Sequence, residues 1–311
     1  MWLNVTVDTE VAYVIGDAMR RPPTARTIAA AIMLVTSAGT VAATGAVVGS
    51  TPAHAQSAEA QVDNLQNYVW RTDPISKALA GKPTADKVLH RVPGSFFDAP
   101  RTPPEAEEAR RRGRALYGPS TPLYVGSVPG QEVMCTATVA GYNDRGEKIA
   151  ITAGHCGKVG DAVRSADAWQ LGRTGTITHV NGQLDYAVIT LAANTDVTRT
   201  YNGVTVNHLG GAPIKPGGVV CKTGVASGTT CGPTFTDWDA RNTNHVCAMQ
   251  GDSGAPLTVG DRVIGMVNGG MWGPPFNVSC RTPLQGPIHA PTGSLRMDAV
   301  LGDIPGGFRL P

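Results

Sequence analysis

Short apolar runs recur along the last two thirds of the chain. They cover residues 133–139, 149–152, 186–191, 219–222 and 263–267, and clusters of Gly, Asn, Asp and Pro separate them. Runs of this length between turn-forming residues are typical of strands in a β-sandwich or barrel. The 38 Gly and 23 Pro residues among 311 also favour a turn-dense all-β fold. This length allows one sizeable domain with extensions, or two small domains.

The charge of the chain is low and nearly balanced. Charged residues make up 16% of the sequence, and the formal net charge is +2. A chain of this kind lacks the basic excess that binds nucleic acid or holds a protein on an anionic membrane. We therefore expect no nucleic-acid partner.

The N-terminus has the three parts of a secretory signal peptide. A basic cluster at 20–26 precedes residues 27–48, which are uncharged and rich in Ala, Val and Ile. The small residues of the triplet 53–55 (Ala-His-Ala) predict cleavage after Ala55. An uncleaved membrane anchor is the alternative, because the apolar stretch is almost long enough to span a bilayer. Acidic residues before the basic cluster indicate that the true start is Met19.

A polar stretch without cysteine separates the leader from the apolar runs. Within residues 56–115, the segment 102–105 (Thr-Pro-Pro-Glu) predicts a helix start with a capping box and proline in the first turn. Two interpretations stay open: a pro-segment with a basic processing site near Arg114, or a partly helical linker. The chain thus divides into an N-terminal extension with a signal peptide (1–55), this segment, and a domain at 116–311. We expect export, into the medium or the cell envelope, without stable membrane insertion after the leader is removed.

All six cysteines lie in the C-terminal domain. An even number in an exported chain argues for three disulfides, although spacing alone allows fifteen pairings. Zinc is the weaker alternative, because no two cysteines have C-x-x-C spacing. Clustered carboxylates at calcium-binding spacing do not occur either, so we expect no metal and no cofactor. The cysteines are Cys135, Cys156, Cys221, Cys231, Cys247 and Cys280.

Ser253 is the candidate nucleophile. It lies in a G-D-S-G sequence within residues 250–256, where flanking glycines allow a tight turn. A serine hydroxyl is a poor nucleophile until a neighbouring base takes its proton. In such a turn the amides of Gly251 and Ser253 would point at one spot and form an oxyanion hole. Taken alone, this sequence is equally an ordinary glycine-rich turn.

Two further segments supply partners for a nucleophile. His155 follows an apolar run and precedes Cys156, an arrangement that would hold a general base rigidly. Asp185 leads into another apolar run, where a carboxylate is costly to bury unless a group such as an imidazole partners it. Alone, the first is equally a structural histidine near a disulfide, and the second a common turn residue.

The chain resembles the chymotrypsin family of serine proteases in the order His155, Asp185, Ser253 and in the motifs T-A-G-H-C and G-D-S-G. It is closest to the secreted bacterial branch typified by α-lytic protease, and the resemblance covers about residues 116–311. It implies two antiparallel six-stranded β-barrels with the active site in the cleft between them. It also implies an endopeptidase for polypeptide substrates, and we expect a monomer. In that enzyme His155 is general base and acid, Asp185 orients it, and Ser253 forms the acyl-enzyme.

The resemblance implies three disulfide pairings as well, and two positions depart from the family pattern. Ala255 replaces the last glycine of G-D-S-G-G, and Asn268 stands where the family has the serine that supports the catalytic aspartate. Asparagine can still donate a hydrogen bond there. No Ile-Val-Gly-Gly sequence follows a basic residue, so we expect no activation by insertion of a new N-terminus. The implied pairs are Cys135–Cys156, Cys221–Cys231 and Cys247–Cys280.

The expected substrate pocket is uncharged. Its walls include residues 271–279, and no carboxylate occurs among the expected lining residues, so a preference for Lys or Arg has no charge partner. We expect a small or medium apolar side chain instead. The apolar loop 271–276 either narrows the pocket or serves only to pack. The other expected lining residues are Ala248, Met249, Val267, Asn268 and Gly270.

Two functions of other classes compete with the protease. One is a pseudoprotease that keeps the fold as an extracellular binding module, an opening left by Ala255 and Asn268. The other is an envelope-bound structural protein in which G-D-S-G is an accidental turn. That second function requires His155 and Asp185 to be coincidental too.

Overall fold

The structure is a computed structural model that describes most of the chain after residue 60. The expected leader, its cleavage after Ala55 and the start at Met19 lie outside the described residues. Among the residues that are described, no helix is long and apolar enough to cross a membrane. The described ranges are 61–63, 68–99, 102–128 and 130–311.

A small antiparallel sheet precedes the barrels. Its strands β1 (Gln61–Asp63), β2 (Tyr68–Arg71) and β3 (Val88–His90) lie side by side in that order. Helix α1 (Pro74–Leu79) lies between β2 and β3 in the sequence. The polar stretch before the apolar runs therefore contains regular structure of its own.

Helix α2 (Pro104–Arg111) forms where the sequence predicts a helix, but it begins differently. Its N-cap residue is Pro103, and no side chain caps the first turn. The predicted capping box is therefore wrong. The Thr102 hydroxyl donates instead to the carboxylate of Asp167, at 3.3 Å, so it ties the helix start to the first barrel.

The first large sheet follows strand β4 (Ala115–Tyr117) and is antiparallel throughout. Its strands are β5 (Pro122–Val125), β6 (Val133–Thr136), β7 (Val139–Tyr142), β8 (Lys148–Ala153), β9 (Ala162–Ser165), β10 (Gly175–Asn181) and β11 (Tyr186–Leu191). They lie in the order β6, β5, β9, β10, β11, β8, β7. The two end strands are separated in sequence only by Ala137 and Thr138, so the sheet curls round towards itself.

Short paired strands connect the two large sheets. Strand β12 (Thr195–Val197) pairs in parallel with β4, and β13 (Thr200–Tyr201) pairs with β14 (Val204–Thr205). The register of β4 against β12 begins with Ala115 opposite Thr195. The residues just after helix α2 are therefore part of the barrel region.

The second large sheet closes into a six-stranded barrel. Its strands are β15 (His208–Leu209), β16 (Val219–Gly224), β17 (Gly228–Trp238), β18 (Arg241–Asn244), β19 (Pro256–Val259), β20 (Arg262–Gly270) and β21 (Thr292–Arg296). They lie in the order β15, β20, β19, β16, β17, β18, β21, and pairing of β20 with β21 completes the ring. Strand β15 adds to β20 in parallel. The predicted all-β, chymotrypsin-like two-barrel fold is confirmed, with these short parallel pairings as its exceptions. The second barrel has the predicted six strands, whereas the first has seven and is curled, with no pairing of β6 to β7 among the described strands.

One hydrophobic cluster joins the two barrels. Val139 and Ile151 of the first sheet and Met266 and Leu295 of the second belong to it, and all four are fully buried or nearly so. Burying a side chain of this size stabilises the folded state by about 1.5–3 kcal/mol. Helix α3 (Met297–Asp303) adds further members. This shared core fixes the two barrels in one relative position, and the loops between their strands are held in place with them.

A buried ion pair fastens the N-terminal sheet to the first barrel. Arg91, just after β3, contacts the carboxylate of Asp167, and both side chains are at least 96% buried. The same guanidinium donates to the Tyr68 hydroxyl at 2.9 Å, and the hydroxyl of Tyr201 donates to Asp167. Separating the sheet from the barrel would leave both buried charges unpaired, so this ion pair raises the free energy of that separation.

We expect Arg91→Met to lower the free energy of unfolding by about 3–5 kcal/mol, because the Asp167 carboxylate stays buried without its cation. Arg110→Met is the matched control, since Arg110 pairs with Glu107 near the surface and its loss costs less than about 1 kcal/mol. Urea unfolding of the purified variants measures both values. Equal destabilisation by the two substitutions would contradict the importance of the buried pair.

Candidate active site

His155 lies in a short 3-10 turn directly after β8. The adjacent Cys156 forms a disulfide with Cys135 of β6, which ties the turn to the first sheet. On the other side, Gly154 permits a close approach, because a Cβ at that position would lie 3.0 Å from Oδ1 of Asp185. The turn that carries the imidazole is therefore fixed by a disulfide on one side and by close packing against Asp185 on the other.

Asp185 stands immediately before β11 with a left-handed backbone, φ +66°. Its Oδ1 accepts a hydrogen bond from the His155 amide at 2.8 Å, and its carboxylate oxygens lie 3.0 and 3.1 Å from His155 Nδ1. Asn268 donates through Nδ2 to Oδ2 and to the backbone oxygen of Asp185, both at 2.7 Å. The Leu295 amide in turn donates to Asn268 Oδ1 at 2.8 Å. The donor expected at Asn268 is thus present, and it is itself anchored on β21.

Ser253 is the third residue of the site, and its Oγ lies 2.8 Å from His155 Nε2. The Thr136 amide donates to the Ser253 carbonyl at 2.9 Å, which seats the turn against the first sheet. Gly254 has φ +85°, and a Cβ there would lie 2.2 Å from the Thr136 carbonyl oxygen, so the position requires glycine. Ala255, the departure from G-D-S-G-G, is fully buried in this turn. The structure therefore brings the three residues found from sequence into one hydrogen-bonded chain.

The hydrogen bonds of this chain change the pKa values of both His155 and Asp185. The hydrogen bond to Asp185 raises the pKa of His155, and burial, which acts in the opposite direction, does not cancel it. Burial acts to raise the pKa of Asp185, but hydrogen bonds from His155 and Asn268 outweigh it and leave that pKa below its usual value. Asp185 is therefore ionised, and it supports positive charge on the ring whenever His155 accepts a proton.

The backbone on either side of the serine offers two hydrogen-bond donors. Among the described residues, the amides of Gly251 and Ser253 donate to no protein acceptor, whereas those of Asp252 and Gly254 bond to backbone carbonyls. Gly251 has φ +100°, a conformation that glycine reaches without steric cost. Paired amides of this kind can stabilise a developing oxyanion.

Sequence reasoning missed a buried ion pair behind the serine. Lys222 and Asp252 are both fully buried, with Lys222 Nζ 3.2 Å from Asp252 Oδ2. The carboxylate also accepts hydrogen bonds from the amides of Ala226 at 2.9 Å and Met249 at 3.1 Å, and from the Ser227 hydroxyl. Burial lowers the pKa of Lys222, although Asp252 acts to raise it. The signal was a lysine inside an apolar run, at a buried position of the alternating strand β16.

A cavity of about 360 Å³ opens beside Ser253. Four of the five individually expected pocket residues line it, and the fifth, Asn268, does not, because its side chain binds Asp185. Trp272 of the apolar loop also lines the cavity. No Asp, Glu, Lys or Arg occurs among its described lining residues. The four expected residues are Ala248, Met249, Val267 and Gly270.

The three disulfides join the pairs that the resemblance implies. They are Cys135–Cys156, Cys221–Cys231 and Cys247–Cys280, and none of the described cysteines is free. The third pair joins the residue before Ala248 to the residue after Ser279, and both Ala248 and Ser279 line the cavity. Within the described part of the chain, no three His, Cys, Asp or Glu side chains are grouped so that they could hold a metal ion.

We expect modification of Ser253 by a fluorophosphonate to slow as the pH falls through the pKa of His155, because only the neutral imidazole accepts the serine proton. Asp185 raises this pKa above its ordinary 6.5, so the midpoint of the acidic limb should lie above pH 6.5. Labelling rates measured from about pH 5 to pH 9 give the midpoint. In Asp185→Asn the raising charge is lost, and the midpoint should fall. A wild-type midpoint at or below 6.5 would contradict the role of Asp185.

Comparisons with known proteins identify relatives of this chain. No protein-family model matches it. It is 31% identical to Uncharacterized protein Rv1815 of Mycobacterium tuberculosis (strain H37Rv) over 189 residues, which cover 53% of this chain and 83% of that protein. For Uncharacterized protein MT1863 of Mycobacterium tuberculosis (strain CDC 1551) the identity is 30% with the same coverage.

Two solved structures are also similar to this chain. Thermobifida fusca Protease A is 22% identical, with 63% of this chain and 100% of that chain covered and a TM-score of 0.49. Nocardiopsis Protease gives the same identity and coverage with a TM-score of 0.48. The fold assignment rests on the strand order and register described above. With its chymotrypsin-like two-barrel fold and 31% identity across 83% of the mycobacterial protein, the chain belongs to the same family as Rv1815.

Proposed function

We propose that this chain is an exported serine endopeptidase that acts as a monomer and hydrolyses polypeptides through an acyl-enzyme on Ser253. The observation that supports it most is the unbroken chain of hydrogen bonds from Asp185 through His155 to Ser253, with 2.8 Å between His155 Nε2 and Ser253 Oγ. A nucleophile, a base within hydrogen-bond reach and a third group that orients the base are the parts that acyl transfer requires.

In the acylation half of the reaction, Ser253 Oγ attacks the carbonyl carbon of the scissile bond and its proton passes to His155 Nε2. The amides of Gly251 and Ser253 donate to the oxyanion that forms, a contribution of about 3–4 kcal/mol for one such donor. His155 then gives the proton to the leaving amine as the C–N bond breaks. Asp185 stays ionised throughout and stabilises the imidazolium.

In the deacylation half, a water molecule takes the place of the leaving amine. His155 removes its proton, the resulting hydroxide equivalent attacks the ester carbon, and the same two amides stabilise the second oxyanion. Collapse of this intermediate breaks the bond to Ser253 Oγ, which recovers its proton from His155. The products are a carboxylic acid and the free enzyme, so atoms and charge balance.

The cavity beside Ser253 indicates the substrate class. The cavity has a moderate volume, about 360 Å³, and its walls are uncharged. A charged substrate side chain would therefore lose its hydration there without gaining an oppositely charged partner. We therefore propose a small or medium apolar side chain before the scissile bond. Three disulfides fit a location outside the cytoplasm, in the medium or the cell envelope.

Labelling with a fluorescent fluorophosphonate tests the proposed activity. The chain without residues 1–55 should take up one label, which peptide mapping should locate at Ser253, because only an activated serine reacts rapidly. Ser253→Ala should take up none, and His155→Ala should label at least about 100-fold more slowly. Near-UV circular dichroism confirms that each variant is folded. A folded wild-type protein that stays unlabelled would support the pseudoprotease and overturn the proposal.

We expect Gly270→Val to shift the preference of the active enzyme towards smaller side chains. The Cβ of that residue would lie 3.9 Å from Ala290, with nothing else within 4 Å, so the added methyls project into the cavity. The ratio of kcat/KM for leucyl over alanyl peptides should fall at least about tenfold. Gly182→Val is the control, because its Cβ would meet nothing within 4 Å. An unchanged ratio in Gly270→Val would show that this cavity does not select the side chain.

A further inference from the structure

The N-terminal segment, defined as residues 68–99, reaches the second barrel behind the serine as well as the first barrel. The amide of Phe96 donates to the carbonyl of Arg281 at 2.9 Å, and the Thr282 hydroxyl donates to the carbonyl of Leu79 at 2.8 Å. Both contacts lie next to Cys280, whose disulfide partner Cys247 adjoins the cavity. Together with the buried Arg91 pair, they make the segment a clamp across both barrels.

Ser95 connects this segment to the turn that presents the nucleophile. Its Oγ donates to the carbonyl of Ala226 at 2.5 Å, and Ser95 is only 1% exposed. The amide of the same Ala226 donates to Asp252 Oδ1 at 2.9 Å. Two hydrogen bonds, one at each polar group of Ala226, therefore join Ser95 to the carboxylate adjacent to Ser253.

Val92 contacts the same turn through Gly251. A Cβ placed on Gly251 would lie 2.7 Å from Val92 Cγ2 and 3.1 Å from the Cβ of Ala226. Val92 is 6% exposed, so its side chain fills the space behind this glycine. Glycine has the widest backbone freedom of all residues, and a filled space on one side reduces the conformations that its amide can reach.

The segment lies behind the turn and leaves the cavity open. None of the described residues that line the 360 Å³ cavity comes from the N-terminal segment. A peptide that blocked a protease would occupy the position of the substrate, whereas this segment contacts the opposite side of the residues that stabilise the oxyanion. Its contacts therefore suit support of the active conformation.

We propose that the N-terminal segment remains part of the working enzyme and that Ser95 and Val92 are positioning residues for the oxyanion amides of Gly251 and Ser253. This inference rests on the proposed function. Ser95 acts by fixing the peptide plane between Ala226 and Ser227, and the Ser227 amide in that plane donates to Asp252 Oδ1 at 3.2 Å. The two amides are then oriented before substrate binds, which is how preorganised donors lower a barrier.

Ser95→Ala tests the inference, with Ser76→Ala as the matched control. Both serines lie in the N-terminal segment and are buried, at 1% and 0% exposure. Ser76 Oγ has no hydrogen-bond partner among the described residues, whereas Ser95 Oγ bonds to Ala226. The control thus removes a buried hydroxyl from the same segment without touching the turn.

Two measurements on the active enzyme separate positioning from simple destabilisation. In Ser95→Ala, kcat should fall about 5- to 50-fold with KM unchanged, less than the roughly 100- to 1000-fold loss on deleting a donor. Affinity for a peptide aldehyde, whose adduct places an oxyanion between the two amides, should fall by the same factor. Affinity for the product acid, measured by inhibition, should stay constant. Ser76→Ala should match the wild type in all three.

Hydrogen exchange at the turn gives a readout that does not depend on activity. Amides of residues 249–254 and of Ala226 should exchange at least about fivefold faster in Ser95→Ala than in Ser76→Ala, because the turn opens more often. Equal exchange in the two variants, or equal loss of kcat and of product affinity, would overturn the positioning role. Absence of hydrolysis and labelling in the wild type would instead overturn the proposed function. The hydrogen-exchange comparison would still decide whether Ser95 stabilises the turn.

Discussion

The buried carboxylate of Asp252 is the constraint on which the candidate site depends. It lies next to Ser253 with no exposed surface, and an unbalanced charge in such a place costs several kcal/mol. The ammonium of Lys222 and the amides of Ala226 and Met249 balance it. Since these groups come from separate stretches of the chain, satisfying one charge fixes the turn in relation to strand β16, the β16–β17 hairpin and the wall of the cavity.

This arrangement explains how the turn takes its shape without a newly freed N-terminus. The sequence has no Ile-Val-Gly-Gly stretch after a basic residue, and the cation beside Asp252 is a buried side chain of the second barrel. Lys222 supplies it from within β16, where its Nζ also donates to the carbonyl of Gly228 at 2.9 Å. The charge of Asp252 is therefore balanced by a cation within the folded chain.

Sequence reasoning identified the residues of the site that lie in short, recognisable motifs. His155 and Ser253 stand in short motifs, and the family resemblance supplied the role of Asn268 as support for Asp185. The side chain of Asn268 faces Asp185 and not the cavity that it was also expected to line. Sequence reasoning missed Lys222, although the alternation of strand β16 places this lysine on the same face as the buried Val220. Arg91 was beyond it too, since its partner Asp167 is 76 residues away and only the fold brings them together. The Thr102 hydroxyl, which was expected to cap helix α2, donates instead to the buried carboxylate of Asp167.

Charge is distributed unevenly between the two sides of the candidate nucleophile. Behind it, the Lys222–Asp252 pair holds the turn and the Arg91–Asp167 pair holds the segment that contacts the turn. In front of it, the described walls of the cavity carry no formal charge. In the proposed enzyme, fixed charges on the rear side would orient dipoles before a substrate arrives, so little reorganisation would be needed when an oxyanion develops. An uncharged front leaves selection to shape and apolar contact, where one methylene distinguishes substrates by only about 1–3 kcal/mol. The structure therefore separates the groups that would set the rate from those that would choose the substrate.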